Sequence, residues 1–231
     1  MRNNKDNKQR LLTLILAEAE LERIPSSIQH HPQIKSYAKK KNQPVTDLVL
    51  DASYHHAAMK KLPDWTRRGR PDIVHRCALF ALDSLANKNG CLQFYIHTRN
   101  DHVIWINPET RLPRQYHRFI GLIEQLMKKK QIISSNEVLL TYEQKTLKEL
   151  LTNNLHDCFL LWEKGKMTSL FQTFEQKKDI DLTFVIGGFP HGDFHQATNI
   201  INQKIAVEQD SITASYLLAK TICTFEQVYF C

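Results

Sequence analysis

Six short apolar runs alternate with longer amphipathic stretches along these 231 residues, and that alternation limits the fold more than any other feature. The runs are LLTLILA at Leu11 to Ala17, DLVLDA at Asp47 to Ala52, LQFYIHT at Leu92 to Thr98, VIWI at Val103 to Ile106, CFLLW at Cys158 to Trp162 and LTFVIGG at Leu182 to Gly188. They suit buried strands and are too short to span a bilayer. Asp72 to Ala86, Pro113 to Lys129, Met167 to Gln176 and Thr213 to Tyr229 read as helices, with Pro113 in a first turn where its missing N–H costs nothing. Strands and helices in alternation predict an α/β fold with a mostly parallel sheet. HTRND, between two of the runs, reads as a turn, so that pair forms an antiparallel extension at about 88–112.

With seven glycines and no Gly/Ser-rich linker, one domain over 1–231 is expected. The net charge of +7 favours a polyanionic partner such as RNA. Five cysteines, an odd number with no CxxC pair, fit a reducing compartment, and the first apolar run leads into acidic residues rather than a cleavage site. A soluble cytoplasmic protein is the expectation.

Ligands of open α/β sheets gather beyond the carboxyl ends of the strands, which makes Asp51 to His56 and Gly187 to Asp193 site candidates. The glycine bend VIGGFPHGDF lets backbone groups reach a flat ligand, yet it is neither GxGxxG nor a P-loop. In RRGRPD, Arg67 to Asp72, three arginines crowd four residues, and Asp72 stands near enough to hold Arg70 in one orientation. In RLPRQYHRF, a helix starting near Pro113 would align Arg114 and Arg118 at i and i+4 with Arg111 at the entrance, and Tyr116 or His117 would be placed to stack on a base. Both clusters also suit ordinary solvated charge. Adjacent His55 and His56 point apart on a helix and lack zincin spacing, so no metal is expected.

Taken together, LILAEAELERIP, LDASYHHAAMKKL, RRGRPDIVH, HTRNDHVIWINPETRLPRQYHRFIGLIEQL, VIGGFPHGDF and the closing TFEQVY resemble the ribosome-biogenesis pseudouridine N1-methyltransferases, a family called essential for mitotic growth. The likeness runs nearly end to end, and HGDF looks archaeal. It implies a SPOUT methyltransferase fold with a C-terminal deep trefoil knot in a cofactor-binding part at about 155–231, and a homodimer. It also implies transfer of a methyl group from S-adenosylmethionine to nitrogen 1 of a pseudouridine in a hairpin loop of small-subunit ribosomal RNA, during small-subunit biogenesis.

Position by position, the resemblance assigns Arg70, Arg111, Arg114 and Arg118 to RNA, and Asp72 to orienting Arg70. Asp72 is also the nearest acidic candidate for a catalytic base. Leu161, Gly187, Gly192 and the segment Val207, Glu208, Gln209, Asp210, Ser211, Ile212 match cofactor-binding positions. VEQDSI departs from the Leu-Ser-Asn-Tyr-Pro-Leu-like segment of relatives, bringing Glu208 and Asp210 into the cofactor wall. Two rivals remain: a non-catalytic assembly factor that keeps the arginines, and a SPOUT enzyme acting on another base.

Overall fold

Leu12, Leu14 and Leu16 face one side of the first strand and Ile15 and Ala17 the other, and all five are fully buried. A strand covered on both faces needs helices above and below it. The structure, a computed structural model, describes residues 10–153 and 157–230. Its strands are β1 (Leu12–Ala19), β2 (Leu92–Thr98), β3 (His102–Ile106), β4 (Gln131–Ser134), β5 (Glu137–Gln144), β6 (Asp157–Met167), β7 (Leu182–Gly187) and β8 (Gln203–Ala206). They form one sheet in the order β4-β5-β3-β2-β1-β7-β6-β8. The run from β2 through β8 is parallel, and β3, β5 and β4 add an antiparallel edge.

The helices are α1 (Pro32–Lys41), α2 (Ala52–Met59), α3 (Pro71–Asp83), α4 (Leu85–Lys88), α5 (Tyr116–Lys129), α6 (Leu147–Asn153), α7 (Leu170–Gln176), α8 (Ala197–Ile200) and α9 (Ala214–Phe230). Side chains from α3, α5, α7 and α9 bury one face of the sheet, where Phe119, Phe174 and Phe225 are nearly inaccessible. Leu147 and Leu150 of α6 and Ala197 of α8 cover the other face. None of the described helices is long and apolar enough to cross a membrane.

Three expectations need correction. DLVLDA is not a sheet strand: Val45–Asp47 is a 3-10 turn, Val49 makes one isolated bridge to Arg23, and Asp51 caps α2. Leu48 and Leu50 pack with α1 and α2 in a separate small core, and a short apolar run cannot by itself distinguish that from a strand. The helix expected from Pro113 begins at Tyr116, because the Pro113 carbonyl is hydrogen-bonded to His75 Nε2 at 2.8 Å and Gln115 is the cap. Arg114 therefore precedes α5 and forms no helical row with Arg118. The antiparallel edge also reaches past 112 to include the β4–β5 hairpin, whose turn puts Ser135 and Asn136 at φ of 50° and 65°. The expected boundary at 155 falls outside the described residues.

Leu161 and Lys166 of β6 align with the same residue, Ile205, so residues 162–165 bulge out of the ladder. Gly165 makes this possible: a Cβ there would lie 2.7 Å from the Ile205 backbone nitrogen and carbonyl carbon. Gly165→Ala is expected to lower stability by about 1–3 kcal/mol, read from chemical denaturation. Wild-type stability would argue against the bulge.

His55 is fully buried and accepts the Asp51 N–H on Nδ1 at 3.0 Å, leaving Nε2 without a partner. Burial lowers its pKa to about 4, against an opposing pull from Asp51. Since the folded pKa lies below the unfolded value of about 6.5, the unfolded chain takes the proton first. Protonation of His55 therefore costs nothing well above pH 6.5 and removes up to about 3 kcal/mol as pH falls toward 4. Comparing urea unfolding at pH 7.5 and 4.5 for the wild type and His55→Leu isolates this contribution; identical pH slopes would contradict it.

Candidate ligand cleft and arginine face

A cleft of about 360 Å³ opens at the carboxyl ends of β6 and β7, the position where parallel sheets hold ligands. Leu161 of β6, Gly187 of β7, Gly192 of the following loop, and Val207, Glu208, Asp210, Ser211 and Ile212 after β8 all line it. Gln209, between them, is not among the residues that line it. Ile186, Ile212 and Leu217 make the cleft partly apolar, and the β6 bulge contributes Trp162 and Glu163. Glu208 is ion-paired with Lys220 of α9, which compensates one of the two acidic charges brought by VEQDSI.

The double glycine sets how closely this loop leaves the sheet. A Cβ on Gly188 would sit 2.7 Å from Ala19 Cα, and Gly188 exchanges backbone hydrogen bonds with Ala17 and Glu20. Beyond it, the loop is pinned by acidic residues at the end of β1. Glu18, at φ 50°, accepts the backbone N–H groups of His195, Gln196 and Ala197 at 2.7, 2.8 and 3.0 Å. Its carboxylate also binds Arg67 at 3.2 Å, while Glu20 takes Arg67 Nε at 2.7 Å. Arg67 then donates to the Asp193 carbonyl and lies 3.7 Å over the Phe189 ring. On the far side, the Asp193 carboxylate accepts from Trp162 Nε1 at 2.8 Å and Lys164 at 2.6 Å. One loop is thus held from both flanks.

RRGRPD consequently does not form an open positive field. Arg67 and Arg68 are buried, Arg68 making two 2.7 Å bonds to Glu22. Glu18, Glu20 and Glu22 were missed by sequence reasoning; the signal was EAELE directly continuing a buried strand, which demands buried cations as partners.

Arg70 lines the cleft and grips Asp72 through two hydrogen bonds, of 2.7 and 2.9 Å. Arg76, another missed residue at the cleft, reaches the same carboxylate at 2.7 Å from one turn along α3. Burial pushes the Asp72 pKa up, but the two guanidinium groups outweigh it and hold the carboxyl below its ordinary value. Such a group is a poor proton acceptor and a good orienter. Arg111, Arg114 and Arg118 are exposed and lie outside the cleft lining, and Arg114 pairs with Asp83 at 3.1 Å. Tyr116 is half-buried, its hydroxyl donating to Asp51 at 2.6 Å, which leaves His117 as the exposed ring of that pair.

A partly apolar cleft at the strand ends, with an oriented arginine at its mouth and more arginines outside, defines an α/β protein with a pocket suited to a small organic ligand beside a cationic surface. The profile of the EMG1/NEP1 methyltransferases matches residues 14–226, and the chain belongs to that family. It is 45% identical over 220 residues to the ribosomal RNA small subunit methyltransferase Nep1 of Thermococcus kodakarensis, covering 94% of this chain and 98% of that one. Identity to the protein of the same name from Archaeoglobus fulgidus is 36% over 217 residues, or 93% and 95% of the two chains. The crystal structure of Archaeoglobus fulgidus Nep1 bound to S-adenosylhomocysteine superimposes with a TM-score of 0.86 at 34% identity, covering 96% of this chain and 100% of that chain.

Proposed function

We propose that the protein methylates nitrogen 1 of a pseudouridine in a hairpin loop of small-subunit ribosomal RNA, using S-adenosylmethionine, and so serves small-subunit biogenesis in the cytoplasm. The observation that carries this reading is Arg70, fixed by Asp72, at the mouth of the cleft formed by the glycine bend and residues 207–212. A cleft of this volume and mixed lining fits a nucleoside-sized ligand. Leu161, Gly187, Gly192, Val207, Glu208, Asp210, Ser211 and Ile212 would hold it. When bound, the cofactor supplies an electrophilic methyl group on a positively charged sulfur.

Arg70 faces the target pyrimidine and stabilises the negative charge that develops as nitrogen 1 gives up its proton to solvent water. Asp72, with both oxygens on guanidinium groups, keeps Arg70 in place and does not take that proton. Arg111, Arg114 and Arg118 hold the RNA backbone so that the base, flipped from its loop, enters over the cleft. The reading includes a homodimer that covers part of α9, where Tyr216 and Phe230 are exposed, and a knot formed by the cofactor-binding part of a single domain. The Glu208–Lys220 pair supports retained cofactor binding over a purely assembly role.

Methyl transfer from labelled S-adenosylmethionine to matched hairpins carrying pseudouridine or uridine tests the reaction; label in the uridine hairpin would overturn the selectivity. Arg114→Ala should reduce the slope of log affinity against log salt by about 0.7, one single-strand phosphate contact. An unchanged slope in filter binding would remove Arg114 from the RNA face.

A further inference from the structure

A strip of rings and cations runs from the arginine face onto α1 and α2. Tyr37 and Tyr54 lie with ring centroids 5.0 Å apart, and Tyr54 meets His117 at 6.2 Å. Three rings therefore connect the middle of α1 to the first turn of α5. Tyr37 and Tyr54 are half-buried, while His117 is exposed. Cations stand at both ends. Lys41 Nζ is 5.8 Å from the Tyr37 ring centre, Lys40 beside it is exposed, and Arg118 follows His117 on the surface.

The acidic groups nearby are buried or paired, half-exposed Asp47 with Lys128 at 2.6 Å. Asp51 is buried and engaged by Tyr116 and Ser53, and Glu124 is buried beneath Lys41 at 3.9 Å. What the strip offers outward is positive charge at its ends and aromatic surface between them. Interleaved cations and rings suit a strand that carries a phosphate and a stackable base in each repeat, because the rings accept any base while the cations follow the backbone. An acidic peptide would use the charges and leave the rings unexplained.

Resting on the RNA reading above, we infer that this strip is a second RNA contact, taking single-stranded nucleotides that flank the target hairpin. One base stacks on the exposed face of His117, the next lies against Tyr54, and phosphates meet Arg118 and Lys40. The substrate footprint then extends beyond the loop that enters the cleft, across the α1–α2 layer.

The test compares dissociation constants for a pseudouridine hairpin alone and for the same hairpin with ten-nucleotide single-stranded tails on both ends, a length of about that order being enough to follow one binding groove. In the wild type the tails should tighten binding by about tenfold or more, since either of the two base contacts alone contributes on that scale. In Tyr54→Leu and Lys40→Glu the ratio of the two constants should fall toward one. A ratio cancels general loss of folding, since misfolding weakens both RNAs alike. No gain from tails in the wild type, an undiminished gain in both variants, or displacement of the tailed RNA by polyglutamate as readily as by polyuridine would each overturn the proposal. Tail-dependent binding without methyl transfer to the hairpin would sink the reaction and leave the strip standing.

Discussion

Arg67→Leu is expected to lower the unfolding free energy by about 3–5 kcal/mol, the cost of leaving buried charges without their partner. Arg67 is 5% exposed and touches four groups at once: Glu18, Glu20, the Asp193 carbonyl and the Phe189 ring. Leucine fills part of the volume but leaves Glu18 with only its backbone donors. Glu20 retains Arg99, at 2.6 Å, so Glu18 carries most of the penalty. Adding Glu18→Gln to Arg67→Leu should therefore recover part of the loss. Denaturant unfolding of the single and double variants measures both effects. A cost below about 1 kcal/mol, typical of solvated pairs, would mean the network is open to water in solution.

Arg70→Ala is expected to lower the rate of methyl transfer by about a hundredfold, the scale of losing one preorganised group that faces developing charge. Its side chain is 32% exposed and packs less tightly than Arg67, so stability should change little. Cofactor affinity, read separately by calorimetry, should also hold near wild type. Arg70→Lys should rescue poorly, because an ammonium cannot make the two-point contact with Asp72 that fixes the guanidinium plane. Single-turnover rates on a pseudouridine hairpin check the prediction. Equal rates for wild type and Arg70→Ala would remove this arginine from the reaction.

Much of the architecture was legible because β1, β2 and β7 are runs whose apolar character follows from burial in the sheet. DLVLDA looked equivalent, but its apolar side chains serve a local core under α1 and α2, and no pattern within six residues separates the two uses. The start of α5 was misplaced because a proline fits a helix's first turn equally well when its carbonyl is instead bound by a distant histidine, here His75. Among the candidate site residues, Gly187, Gly192 and most of 207–212 reach the cleft, and the resemblance to a known family picked out the last of these; periodicity alone would not have.

Charge was the hardest feature to read. Three arginines in RRGRPD carry two different jobs: Arg67 and Arg68 neutralise glutamates almost fifty residues earlier, while only Arg70 reaches the cleft. The pairing is long-range, so neither cluster announces it locally. The EAELE segment was the available clue, since carboxylates that continue a buried strand must find cations somewhere in the chain.

Mass spectrometry of two matched small-subunit hairpins after reaction with S-adenosylmethionine reads the methyl transfer to pseudouridine without a label. One added methyl is expected on the pseudouridine nucleotide and none on the uridine hairpin. Tight binding of both RNAs with no added methyl on either would contradict it.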